Sequence, residues 1–205
     1  MSLDTIIFDW SGVISDDIPP VYNSCMEVFK RYDLSPITLE QFKVMSTNPH
    51  SIFWNRILPH VNIKDIRNIF REVYEQQNPP KLIDGVKETI AFLSKQGISL
   101  YVLSSHPEIF LHAEARNYGI DSHFTNLFGD KLDKSEFLAG MLASGMIKKE
   151  STLFVEDMTQ GIYAGKQNGI RTAAVLTGYH NEEKLRQANP DYIFKDITGI
   201  KSLFA

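Results

Sequence analysis

The chain carries a single cysteine, Cys25, in 205 residues. One thiol excludes an intramolecular disulfide framework and a thiolate zinc site, both of which need more than one. The neighbours Met26, Val28 and Phe29 suggest a helix on which Cys25 is a buried thiol rather than a nucleophile. Basic charge is also short: 21 Lys and Arg against 25 Asp and Glu leave a net charge of -4. That argues against a nucleic-acid module, which would present a basic face. No apolar run approaches the length of a membrane span, and the first residues lack the pattern of a signal peptide. There is no internal repeat and no low-complexity tract. A cytoplasmic protein that engages neither membrane nor nucleic acid is therefore expected. Hydrophobic residues make up 43% and charged residues 22%, an ordinary globular composition. The length allows one large domain, or a medium core with a small insert.

Six short apolar runs read as strands: Thr5 to Phe8, Ile98 to Leu103, Asn126 to Phe128, Thr152 to Val155, Thr172 to Leu176 and Tyr192 to Phe194. Helical stretches alternate with the later ones, from Val86 to Lys95, Glu108 to Tyr118, Lys134 to Ser144, Gly161 to Asn168 and Glu182 to Ala188. Alternation of this kind predicts an α/β fold, a Rossmann-like parallel sheet with helices on both faces. Gly97, Gly119, Gly145 and Gly169 sit just past four of the helices, where a left-handed cap favours glycine. Between Pro19 and Gln77 the alternation stops, and the sequence reads as helices over roughly 20–33, 39–46, 50–59 and 63–77. In the last of these, Ile66, Ile69, Phe70, Val73 and Tyr74 form one apolar stripe. Residues 1–16 and 81–205 are thus expected to form the core, with 17–80 inserted as an all-helical unit through two adjacent linkers.

Chemistry gathers at the strand ends, where open α/β sheets bind ligands. The first strand runs into Asp9, followed by Trp10, Ser11 and Gly12. A carboxylate there is either a hydrogen-bond anchor or a nucleophile and metal ligand. Ser104, Ser105 and His106 follow the second strand and precede a helix at Pro107. The Ser104 hydroxyl can meet a phosphate oxygen, and the plainer reading is an N-cap, with Ser105 or His106 opening the helix. Lys131 and Lys134 precede the next helix, and Lys134, at its entrance, is the preferred partner for an anionic site. The strand from Thr152 ends in Glu156 and Asp157. Adjacent acids repel unless a cation lies between them, and Mg²⁺ favours carboxylates and often bridges to phosphate. A helix N-terminal acid pair is the plainer reading of the same residues.

Asp9, Ser104, Lys134 and Glu156-Asp157 occur in the order and setting of the haloacid dehalogenase-like hydrolase superfamily, and the resemblance spans essentially the whole chain. Asp9-Trp10-Ser11-Gly12-Val13 resembles its first motif, Asp-x-Asp-Gly-Thr/Val, and Glu156-Asp157 its acidic metal motif, in the form seen in the phosphoglycolate phosphatase and β-phosphoglucomutase branch. The resemblance implies a Mg²⁺-dependent phosphatase acting on a small phosphorylated metabolite, with residues 17–80 as a helical cap. Asp9 would form an aspartyl-phosphate. Asp9, the Ser11 backbone carbonyl, Glu156 and Asp157 would hold Mg²⁺. Ser104 and Lys134 would hold phosphoryl oxygens, with Gly12 allowing close backbone approach and Ser105 and His106 beside them.

One departure stands out. The second Asp of the first motif, the family's general acid and base, is Ser11 here. Such help is worth ~10²–10⁴ in rate, so slow turnover is expected unless another group substitutes. His106 is one candidate. In the cap, Asn48, His50 and Arg56 are candidates for touching substrate, and Trp10 is expected to pack beneath the cap. Gly161 replaces an acid found in some relatives, for which Glu156 can compensate. Two other readings share these residues. A phosphonoacetaldehyde hydrolase would need a cap lysine such as Lys30, Lys43 or Lys64 for a Schiff base, and a phosphate-binding protein would have lost turnover at Ser11. A haloacid dehalogenase would leave Glu156 and Asp157 without a use.

Overall fold

The computed structural model describes residues 3–204; Met1, Ser2 and Ala205, at the ends of the expected core ranges, lie outside the described residues. Six parallel strands form the main sheet: β1 (Thr5–Phe8), β4 (Ser99–Leu103), β5 (Asn126–Phe128), β6 (Thr152–Glu156), β7 (Arg171–Val175) and β8 (Tyr192–Phe194), in the spatial order β5-β4-β1-β6-β7-β8. Every residue of β1 is buried, as a strand covered on both faces requires. The period-two pattern divides the core. Ile6, Phe8, Leu100, Val102, Leu153 and Val155 belong to one hydrophobic cluster, and Ile7, Tyr101, Leu103 and Phe154 to the other.

Helices α5 (Val86–Lys95) and α6 (Glu108–Tyr118) contribute to the first cluster, and α7 (Lys134–Ala143) and α8 (Thr159–Gln167) to the second. A short α9 (Glu182–Gln187) packs near β7 and β8, contributing Leu185 to a small cluster with Ala174 and Ile193. Strand β1 lies between β4 and β6, so the chain leaves it in opposite directions on its two sides. That topological switch point opens the ligand crevice at the carboxyl edge.

Helices α1 (Ile18–Arg31), α2 (Leu39–Met45), α3 (His50–Ile57) and α4 (Ile63–Tyr74) occupy the break in alternation. Two of them start at side-chain caps. Thr38 and Gln41 form a reciprocal capping box for α2, and Asn62 accepts from Lys64 N–H to open α4. The four helices bury their own cluster around Cys25, Val28, Phe42, Phe53, Trp54 and Ile66. Strand and helix bounds fall within a few residues of those read from sequence, α4 ending at Tyr74 rather than 77.

Four elements are additions. Two-residue strands β2 (Ser15–Asp16) and β3 (Lys81–Leu82) pair antiparallel, so the two linkers of the helical insert are hydrogen-bonded to each other. Short 3₁₀ turns occur at Asp121–His123 and Ile197–Phe204. No helix among the described residues is long and apolar enough to cross a membrane.

Candidate active site

Asp9 leaves β1 one residue beyond Phe8, which is level with Val102 of β4 and Val155 of β6. Its backbone N–H donates to Val155 O at 2.9 Å, extending the ladder to the sheet edge. The carboxylate is oriented by two donors on one oxygen: Trp10 N–H lies 2.7 Å from Oδ1, and Lys134 Nζ 2.9 Å from it. Lys134 arrives there because Asp133 caps α7, accepting from Glu136 N–H at 2.9 Å, which makes Lys134 the first helical residue. Its Nζ also lies 2.6 Å from Glu156 Oε1. Lys131, by contrast, places its ammonium over the Phe137 ring, 5.4 Å from the centroid.

Asp9, Glu156 and Asp157 are all buried, and each offers an oxygen within 4.8 Å of the others. Three carboxyl groups thus face one ammonium, and ionising all three would leave two negative charges in excess. Burial pushes Glu156 up to about 7 against the pull of Lys134, with the Asp9 charge adding to the rise. Burial and the charges of Glu156 and Asp9 push Asp157 well above the carboxylate range. Burial works against the charge on Lys134, but Asp9 and Glu156 outweigh it and lift its value. Asp157 Oδ2 accepts from Tyr179 N–H at 2.7 Å, whereas buried Oδ1 has no hydrogen-bond partner among the described residues. An orphaned carboxyl oxygen beside two other carboxyl groups, which a cation would keep ionised, is the donor set a hard divalent cation takes, so these residues fit Mg²⁺.

Glycines make room for the acids. A Cβ on Gly161 would overlap the Glu156 carboxylate. The glycine that stands where some relatives carry an acid is therefore the space into which Glu156 extends. Gly12 has φ +73°, and a Cβ there would come 2.5 Å from Asp157 Oδ2 and 2.7 Å from Gly178 Cα. Its N–H already donates to Ser15 O at 2.9 Å. The close backbone approach expected at Gly12 is made here to Asp157 and Gly178.

Ser104 is 1% exposed at the end of β4, where its Oγ accepts from His106 N–H at 3.2 Å and keeps its own proton to donate. Ser105 Oγ accepts from Asn48 Nδ2 at 3.2 Å, so these two residues form a contact between the helical insert and the sheet edge. Asn48 also borders a cavity of about 420 Å³ that reaches Lys134 and Gln160. His50 lies elsewhere. Its ring packs among Phe42, Phe53, Trp54 and Phe70, 3.9 Å from Cys25 Sγ, and burial pushes it down to about 4. It is a neutral member of the insert's own core, a correction to its reading as a substrate contact. Arg56 is exposed on α3.

Several residues that matter here carried no sequence assignment. Glu114 of α6 is 9% exposed and accepts from Trp10 Nε1 at 2.6 Å, while its other oxygen lies 3.1 Å from His106 Nε2. Trp10 stacks on Tyr118 at 5.8 Å within the main core cluster, which corrects its expected place beneath the helical insert. Burial opposes the charge on His106, yet the bond to Glu114 and the charges of Glu114, Asp17 and Asp9 raise it above its ordinary value. Asp17, 2% exposed, accepts from Ser11 Oγ at 2.6 Å, and burial pushes it up to about 6.

The loop after β7 joins both halves. Tyr179 N–H holds Asp157 while its ring sits 6.1 Å from Phe42 of the insert. His180 Nδ1 accepts from Thr159 N–H at 3.1 Å, and its Nε2 lies 2.8 Å from Lys184 Nζ and 3.2 Å from Ser46 O of the insert. Buried polar groups on the apolar phase of a helix, as Glu114 is among Leu111, Ala115 and Tyr118, were the signal available in the sequence.

The family model for haloacid dehalogenase-like hydrolases matches residues 6–175. A 5′-nucleotidase of Pseudomonas aeruginosa is 27% identical over 128 residues, which cover 60% of this chain and only 58% of that protein. A phosphoglycolate phosphatase of Haemophilus influenzae is 25% identical over 217 residues, 96% of each chain. Among solved structures, a haloacid dehalogenase-like family hydrolase from Streptococcus pneumoniae superposes with a TM-score of 0.88 over 99% of both chains at 18% identity. A match over this much of the chain, with Asp9, Ser104, Lys134 and Glu156-Asp157 at one sheet edge, places the protein in the haloacid dehalogenase-like hydrolase family.

Proposed function

We propose that this chain is a Mg²⁺-dependent phosphatase of small organic phosphomonoesters, phosphoglycolate phosphatase-like, that works in the cytoplasm through an aspartyl-phosphate on Asp9. The observation that carries this reading is the Lys134 ammonium set between Asp9 and Glu156, beside the partnerless Asp157 Oδ1.

Trp10 N–H and Lys134 both hold Asp9 Oδ1, which leaves Oδ2 as the oxygen to attack phosphorus. The Ser104 hydroxyl and Lys134 would hold the oxygens of the transferring phosphoryl group, where preformed donors stabilise developing charge. Mg²⁺ would be held by Asp9, the Ser11 carbonyl, Asp157 Oδ1 and Glu156, and bound there it offsets the repulsion between an anionic nucleophile and an anionic substrate. Residues 17–80 would act as the cap that excludes bulk water, with the Asn48–Ser105 contact as part of its seat. For a C–P hydrolase, two of the three candidate Schiff-base lysines are surface groups, Lys64 exposed and Lys30 78% exposed and paired with Glu27, which argues against their use.

The test is a panel of phosphomonoesters assayed with Mg²⁺. Phosphate release by the native chain, abolished by Asp9→Asn and by chelation, supports the reading. Undiminished release by Asp9→Asn contradicts it.

A further inference from the structure

The Ser11–Asp17 pair is set up by the sequence in an unusual way. Asp17 is the N-cap residue of α1, a position where an Asp side chain normally accepts from the amide of the second or third helical residue. Here those residues are Pro19 and Pro20, which have no N–H. The Asp17 side chain accordingly makes no capping bond. It turns instead to Ser11, whose Oγ donates to Oδ2 at 2.6 Å, and its Oδ1 is buried without a partner among the described residues. Structure alone gives this buried carboxylate little reason to exist. Its charge interacts with those of His106, Glu114 and Asp9.

A serine hydroxyl has one proton and two lone pairs. Left to rotate, it would donate as readily to a phosphoryl oxygen as accept from water. A short bond to a carboxylate commits the proton and leaves the oxygen to act only as an acceptor, polarised by the negative partner. We propose that Asp17 is a positioning residue that fixes Ser11 Oγ as the acceptor for the water that cleaves the phosphorylated Asp9: the water oxygen bonds to phosphorus as the Asp9 O–P bond breaks, the water proton passes to Ser11 Oγ as the Ser11 proton passes to Asp17 Oδ2, and Asp9 leaves as a carboxylate with inorganic phosphate. The acceptor that the first motif ordinarily carries on the residue two places after the nucleophile is thereby supplied by two residues joined through one hydrogen bond. This inference rests on the phosphatase reading above.

The experiment separates the two half-reactions by rapid quench with p-nitrophenyl phosphate and Mg²⁺. The nitrophenolate burst reports formation of the phosphoenzyme and the following steady rate reports its hydrolysis. Asp17→Asn is expected to keep the burst rate within about threefold and to slow hydrolysis about ten- to hundredfold. Ser11→Ala breaks the same bond from the other end, so the double variant should be no slower than Ser11→Ala alone. Exchanging the pair, Ser11→Asp with Asp17→Ser, should hydrolyse the phosphoenzyme as fast as Ser11→Asp alone, whereas a merely structural Asp17 would make the exchanged pair slower than that single variant.

Equal slowing of both phases, multiplicative effects of the two single substitutions, or native hydrolysis in Asp17→Asn would each overturn the proposal while leaving the phosphatase reading intact. Absence of turnover in the native chain, or a burst that survives Asp9→Asn, would overturn both.

Discussion

Gly161 lies where a single added carbon would overlap the Glu156 carboxylate. The pair explains how an acid at the strand end can be fully buried and still reach Lys134. Gly161→Ala should force Glu156 or the first turn of α8 to move. The expected cost is about 1–3 kcal/mol of stability from overpacking, with Mg²⁺ affinity weakened about tenfold. Thermal unfolding with and without Mg²⁺, and a calorimetric titration, would measure both.

Glu156 and Asp157 should make cation binding depend on pH. Both are raised by burial, Glu156 to about 7. A raised carboxyl value means that the folded, cation-free chain binds its proton more tightly than the unfolded chain. The associated stability is complete below the ordinary carboxylate range and is lost as pH rises through about 7. Mg²⁺ requires the ionised groups, so its entry should release protons, and its affinity should rise from pH 6 to pH 8. Titration calorimetry in buffers of different ionisation enthalpy would count those protons. Binding that releases none at pH 6.5 would contradict the assignment.

Lys134 compensates the carboxylates on either side of it. Lys134→Met keeps most of the side-chain volume but leaves Asp9 and Glu156 without their ammonium. Removing one partner of a buried ion pair costs about 3–5 kcal/mol. Part of that loss should be recovered by Mg²⁺, visible as a larger Mg²⁺-induced rise in melting temperature than in the native chain. Phosphate release should fall at least a hundredfold.

Trp10 holds the buried Glu114. Trp10→Phe preserves a ring to stack on Tyr118 but removes the Nε1–H donor 2.6 Å from Glu114 Oε2. A buried acceptor left with weaker satisfaction costs about 1–3 kcal/mol, and Ser15 Oγ, 3.3 Å away, recovers only part of it. Chemical denaturation would register the change, with hydrolysis affected less than by Asp17→Asn.

The sheet and its edge were legible because parallel strands buried on both faces appear as short apolar runs, and the chemical residues follow those runs directly. Asp9, Ser104 and Asp157 each stand one place past or at the end of a strand. Helix entrances were equally plain, and Lys134 could be preferred to Lys131 from its place at one. What escaped has a common cause, since it depends on contacts between residues distant in sequence or on segments too short for periodicity. Strands β2 and β3 are two residues each. The Trp10–Glu114 bond spans 104 positions. His50 sits in a turn suited to substrate contact, yet its ring faces the aromatic interior, a direction set by tertiary packing. Asp17 looked like linker sequence, although the two prolines after it already showed that its side chain had no amide to cap.

The central claim is that Asp9 carries the phosphoryl group. Acid-quenched turnover with ³²P-labelled p-nitrophenyl phosphate and Mg²⁺, followed by peptide mapping, tests it most directly. The account predicts label on the peptide containing Asp9, stable in acid, lost in alkali, and absent when Mg²⁺ is chelated. Steady phosphate release with that peptide unlabelled throughout, or with label on another residue, would contradict it.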